Sequence, residues 1–238
     1  MLKNANFLCE IGTEEIPAGY LPPAIQSIET MLRQKFEEHR IDFDMVKVMA
    51  TPRRLVAAVS GVAATQRDEE VEVKGPSAKA AYGADGAPSK ALEGFLRGNG
   101  LELSDVYTVA TDKGDYIYGK KRAAAGKTEE IIPSIVEHIV TSLPFPKRMK
   151  WSNKTVTFPR PVAYFLILFN DVLVPFEMSG IASSKMTRGH FIQSNRMIEV
   201  PSIAEYLKVL EDNNVIVDQD RRKDLIRKEL QKAADSIS

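Results

Sequence analysis

Apolar residues fall into runs and periodic stripes that divide the 238-residue chain into elements before any other property is considered. The longest run, Val162 to Phe169 (VAYFLILF), is continuous, of strand length, and rich in β-branched and aromatic residues. That pattern predicts a strand buried on both faces. Phe7 to Ile11 predicts a second buried strand, broken by Gly12 and followed by a polar turn at Thr13 to Glu15. Pro17, Pro22 and Pro23 fit only before or within the first turn of a helix, so a helix is expected to begin near Leu21. Leu21, Ile25, Ile28, Leu32 and Phe36 then give it one apolar face, through about Glu38. Met45 to Met49 and Leu55 to Ala63 read as two further strands around a turn at Thr51-Pro52-Arg53-Arg54.

The apolar runs weaken from Arg67 to Ala125, where glycine and charge rise. An exposed strand at Glu70 to Lys74, ended by Gly75-Pro76, precedes a short helix carrying Ala91, Leu92, Phe95 and Leu96, and Gly98-Asn99-Gly100 stops that helix. A hairpin of Val106 to Ala110 with Tyr116 to Lys120 follows. Thr128 is placed to cap the next helix, with Glu129 and Glu130 in its first turn and Ile131, Ile135 and Ile139 along one side. Ser202 and Glu205 have capping-box spacing, Asp218 caps again, and Leu225, Ile226, Leu230 and Ala233 line a last, highly charged helix. The expected fold is α/β, with α+β as the alternative: a mixed sheet packed with helices. Residues 1–66 with 126–200 form the core, 67–125 an inserted or peripheral module, and 201–238 a helical exit segment.

Composition narrows the class. With 44% hydrophobic and 27% charged residues the chain reads as globular, and 32 basic residues balance 32 acidic ones. No overall basic field steers it to nucleic acid, so any such binding must come from a local patch. The single cysteine, Cys9, rules out an internal disulfide framework and a multi-cysteine zinc site. No run reaches membrane-spanning length and the N-terminal apolar segment is too short for a signal peptide, so a cytoplasmic location is expected, without membrane or DNA partners.

Candidate chemistry is sparse. There is no GxGxxG, P-loop, HExxH or Gly-x-Ser-x-Gly pattern, and His39, His138 and His190 lack the spacing of a local metal site, so no catalytic or metal residue is assigned. Adjacent carboxylates such as Glu14-Glu15 do not face each other on regular elements. Arg53 and Arg54, adjacent in a turn, suit phosphate or carboxylate, or a solvated turn in which one arginine pairs with the sheet. Lys147, Arg148, Lys150, Trp151, Arg160, Lys185 and Arg188 gather cations around an aromatic that can stack on a base, or that simply packs in the core.

Several segments, in order, resemble the beta subunit of bacterial-type glycyl-tRNA synthetase. They are LCEIGTEEIPA (Leu8 to Ala18), TPRRL (Thr51 to Leu55), Lys74-Gly75-Pro76, APSKALEGFLRGNG (Ala87 to Gly100) and KGDYIY (Lys113 to Tyr118), then PKRMKW (Pro146 to Trp151), FPRP (Phe158 to Pro161), VPFEMSGI (Val174 to Ile181) and TRGHF (Thr187 to Phe191). Arg148 stands where the family pattern has a small or polar residue, and Phe191 follows Gly189-His190 where the family continues with arginine. The resemblance implies the N-terminal part of a longer beta subunit. In it, alpha and beta subunits assemble and charge tRNA-Gly with glycine, ATP and magnesium acting through the alpha subunit and no cofactor being held by this chain. It implies tRNA or subunit contacts at Arg53, Arg54, Lys147, Arg148, Lys150, Trp151, Arg160, Arg188 and His190. The alternatives are a protein-interaction scaffold without tRNA contact, or an editing-like hydrolase pocket around Glu14, Glu15 and His190.

Overall fold

The computed structural model describes residues 5–83, 86–112, 114–123, 125–150 and 156–236. Contacts divide the chain into two compact units, Met1–Gln66 with Lys127–Ser238, and Arg67–Gly126.

The first unit begins with strand β1 (Ala5–Thr13), helix α1 (Leu21–Glu38) and the hairpin β2 (Met45–Thr51) and β3 (Arg54–Ser60). Pro22 and Pro23 occupy the first turn of α1, where a missing N–H costs no helical bond. Gly12 does not end β1, which runs on to Thr13.

The second unit holds β4 (Glu69–Ser77), a single turn α2 (Ala78–Ala81), α3 (Lys90–Asn99), β5 (Val106–Thr111) and β6 (Gly114–Ala123). Its antiparallel sheet has the order β4-β6-β5, and Ile117, Ala81 and Leu92 form its core. Gly75-Pro76 does not stop β4: the register shifts between Lys74 and Ser77 and the strand continues. Ser89 caps α3 by accepting from the Leu92 N–H, and left-handed Gly100 closes it.

The first unit resumes with α4 (Thr128–Ser142), the short pair β7 (Met149–Lys150) and β8 (Thr157–Phe158), then β9 (Val162–Phe169). Thr128 is not the cap of α4. Its hydroxyl donates to the Ala63 carbonyl at 2.6 Å and its N–H to Ala64 at 2.9 Å, tying the helix start to the end of β3's segment. Beyond β9 come β10 (Val172–Leu173), β11 (Glu177–Met178), β12 (Ile181–Ser184), β13 (Met186–Arg188), β14 (Met197–Glu199), α5 (Tyr206–Glu211) and α6 (Gln219–Asp235). Asn170 and Asp171, both at positive φ, make the two-residue turn between β9 and β10. The Ser202–Glu205 pair closes a turn, and α5 starts only at Tyr206.

The main sheet has the order β11-β12-β9-β1-β3-β2, with β10 also on β9. Among the described residues, only the β12–β9 pairing is parallel. Alternation along the strands sorts two cores. Phe7, Cys9, Ile11, Leu55, Ala57, Phe165 and Ile167 face α1 and α4. Leu8, Val56, Ala58, Leu166 and Leu168 face Val200, Ile203, Tyr206, Leu210 and Val217. The α/β reading and the doubly buried β9 thus hold, because each face of the sheet has its own cover. Residues 200–217 are part of that cover rather than a mere exit. In contrast, none of the described residues of α6 is buried, so Leu225, Ile226 and Leu230 form an exposed stripe.

Candidate functional site

The second face of the sheet encloses a charged pair, Glu10 and Arg54. Glu10 lies between Leu8 and Gly12 on the β1 side that turns toward α5, and it is 0% exposed. Gly12 sits opposite Arg54 on β3 and opposite Tyr164 on β9. Side chains two positions away across a strand pair are within reach of long residues. With no side chain at Gly12, Arg54 and Tyr164 lean across it to Glu10; a Cβ there would overlap the Tyr164 ring.

Four donors meet the carboxylate. Arg54 donates at 3.1 Å and the Tyr164 hydroxyl at 2.6 Å to Oε1, while Thr187 at 2.7 Å and Tyr206 at 2.8 Å donate to Oε2. This satisfies both oxygens, as a buried charge requires. Burial, then the Glu10 charge, pushes the Tyr164 and Tyr206 phenols well above their ordinary range, so both stay donors. Burial works against the Arg54 charge, but Glu10 together with Tyr164 and Tyr206 outweighs it, and the guanidinium is held more firmly protonated than usual. Among the described residues, Arg54 Nε finds no partner.

The network reaches outward through Arg54, which also donates to Thr187 Oγ1 at 3.1 Å and to the Arg188 carbonyl at 2.7 Å. The start of β3 is thereby joined to the end of β13. Between them and residues 214–222 lies a cleft of about 600 Å³. Among the described residues lining it, Arg53, Arg54, Arg222 and His190 face a single carboxylate, Glu15, with Phe191 and Ile192 at its side. Arg53 pairs with Glu14 at 2.7 Å and its guanidinium carbon lies 3.8 Å from the centre of the Phe191 ring. Arg222 donates to the Ile216 carbonyl at 2.5 Å and to Ala50 at 3.3 Å.

The sequence-predicted residues separate into two groups. Arg53, Arg54, Arg188 and His190 come together through the buried network and the cleft. Arg54, however, is 4% exposed and committed to Glu10, so it is a structural cation and not a surface contact for phosphate. The Arg188 carbonyl is used by Arg54, and its buried Nε has no partner among the described residues. Arg148 is likewise turned inward: its guanidinium donates to the carbonyls of Val140, Thr141, Leu143 and Thr157, fastening β8 to the end of α4. Lys147 and Lys150 are exposed, and half-buried Arg160 donates to its neighbour Pro159. Trp151 lies outside the described residues. Sequence reasoning passed over Glu10, Tyr164 and Tyr206; the available signal was a lone carboxylate inside an otherwise apolar strand.

The hydrolase alternative meets an obstacle in the ring of His190. Its Nδ1 accepts from the N–H groups of both Ile192 and Gln193 at 3.2 Å, which places the neutral ring's proton on Nε2. The nitrogen facing away from those bonds is then a donor, not a base. Glu14 is occupied by Arg53.

Comparison with known proteins adds the family. The family model described as glycyl-tRNA synthetase beta subunit matches residues 7–238. The chain is 42% identical over 227 residues to a protein of Trichlorobacter lovleyi named glycine–tRNA ligase beta subunit, and 41% identical over 227 residues to one of Syntrophotalea carbinolica with the same name. A third so named, from Geobacter sulfurreducens, is 39% identical over 225 residues. These matches cover 95%, 95% and 94% of this chain, which spans 33% of the length of each relative.

Proposed function

The chain belongs to the glycyl-tRNA synthetase beta subunit family, and from that premise we propose that it contributes tRNA-Gly binding and alpha-subunit attachment to a cytoplasmic complex that charges tRNA-Gly with glycine. ATP and magnesium are used by the alpha subunit in this reading, and the chain alone is inactive. The observation that carries it is the cleft in which Arg53 and Arg222 stand together beside the exposed Phe191, Arg54 being committed to Glu10, in a protein of zero formal net charge. Such a local concentration attracts phosphate where the molecule as a whole does not.

Arg53 is the cleft cation whose guanidinium sits beside an exposed aromatic ring, so it is the contact to neutralise first. The test measures tRNA-Gly retention by this chain across a salt series, and charging after addition of purified alpha subunit, with full-length beta in parallel. Retention that falls in Arg53→Ala, with a shallower salt slope, supports the reading. Capture of the alpha subunit with no measurable tRNA affinity selects the scaffold alternative instead.

A further inference from the structure

Phe191 and Ile192 are held out at the cleft rather than tucked beneath it, with 44% and 82% of their surfaces exposed. Their loop is firmly braced. The His190 N–H donates to the Asn213 carbonyl at 3.0 Å, Ser194 N–H returns to the His190 carbonyl at 2.9 Å, and the Ser194 hydroxyl donates to Asn213 Oδ1 at 2.8 Å. Gly189 is required for this path, since a Cβ there would overlap the Ser194 carbonyl. The loop therefore displays two large apolar side chains in a fixed place, beside a guanidinium already stacked on one of them.

A ligand that uses both features must combine a flat apolar face with negative charge. Unpaired nucleotides do so: the base stacks on aromatic rings or arginine planes while the phosphate meets cations. A duplex has no free base face to offer, whereas a cleft of about 600 Å³ is within the range that encloses a single small ligand. Arg53 and Arg222, the lining arginines not given over to a buried carboxylate, favour such an anion over an apolar protein segment. We propose that the cleft takes one unpaired nucleotide of RNA, its base stacked on the Arg53–Phe191 pair and its phosphate toward the cationic wall. This rests on the tRNA-binding reading above and specifies what part of an RNA the cleft receives.

The test is fluorescence anisotropy of the whole 238-residue chain with labelled pentaadenylate and pentauridylate, a blunt RNA duplex and tRNA-Gly, with circular dichroism confirming that each variant folds. The expected result is tighter binding of the pentamers than of the duplex. Phe191→Ala should lose about five- to 150-fold in pentamer affinity, as for other base-stacking aromatics, with the salt slope unchanged. Phe191→Trp should keep the affinity, and Arg53→Gln should flatten the slope by about 0.7. Pentamer binding equal in wild type and Phe191→Ala, with tRNA-Gly still bound, overturns the nucleotide site but leaves the tRNA reading standing. Failure of the wild type to bind any of the RNAs sinks both. Release of the alpha subunit by Phe191→Ala with pentamer binding intact makes the loop a protein anchor and likewise overturns the proposal.

Discussion

Replacing Arg54 by methionine would leave the Glu10 carboxylate buried at 0% exposure without its cation. Solvent does not screen this pair, because Arg54 itself is only 4% exposed. With charge centres about 4 Å apart and an effective dielectric constant of about 20, the lost attraction is about 4 kcal/mol. That agrees with the roughly 3–5 kcal/mol seen when one partner of a buried pair is removed. Tyr164, Tyr206 and Thr187 still donate to Glu10, so the lower part of that range is expected. Urea unfolding followed by circular dichroism measures the loss. The double variant Glu10→Gln with Arg54→Met removes both charges, and it should recover a substantial part of the stability lost by Arg54→Met alone. Hydrogen exchange at Arg188 to Phe191 should also speed up in Arg54→Met, since the Arg188 carbonyl loses its donor. A cost below about 1 kcal/mol, or strictly additive effects in the double variant, would refute the claim that this pair is desolvated and coupled.

Other substitutions probe the same architecture. Gly12→Ala should cost about 1–3 kcal/mol by overpacking, since the new methyl drives Tyr164 away from Glu10; unchanged urea stability would show that the ring has room to move. Burial alone would raise the Asp218 carboxyl, but the hydrogen bond from Lys47 and the amides of Arg221 and Asp220 hold it below its ordinary 3.8. Because the folded value is the lower one, its stabilisation is present above about pH 4 and lost as pH falls through the folded value, so wild type and Asp218→Asn, which keeps the cap but loses the charge facing Lys47, should differ by up to about 1 kcal/mol at pH 7 and converge in acid. Burial, then the Glu10 charge, pushes the Cys9 thiol from 9.0 up to about 12, so iodoacetamide at pH 8 should label it only as fast as the protein unfolds. A raised folded value also means that its contribution to stability is complete below pH 9.0 and is lost as pH climbs toward 12; rapid labelling of the native protein would contradict the burial.

The parts of the fold governed by local pattern were open to sequence reading. Val162 to Phe169 announces β9 because both of its faces are apolar, and the spacing from Leu21 to Phe36 announces α1. Charge was harder to interpret, since its meaning depends on partners far along the chain. Spacing left open whether a turn arginine pairs with the sheet or meets phosphate; Arg54 is consumed by a carboxylate 44 positions away, and Arg148, read as a contact cation, by four backbone carbonyls. Glu10 passes as an interruption of an apolar strand until Gly12 is seen to clear space for Tyr164 and Arg54 beside it. The stripe of Leu225, Ile226 and Leu230 predicts the helix correctly but not its exposure, because periodicity specifies a face and not what lies against it.

The pairing of β1 with β9 joins residues about 150 to 160 positions apart, from Phe7 with Phe169 to Thr13 with Val162. On a ribosome adding about 5–20 residues each second, the first strand would wait about 8–30 s for that neighbour. The β2–β3 hairpin can protect one edge of β1 almost at once, but the other edge stays unpaired throughout the synthesis of the intervening chain. Newly made chains should therefore pass through a half-built sheet carrying the Glu10 carboxylate on its unfinished face, and it is at this stage, more than in the completed protein, that a chaperone would find a surface to hold.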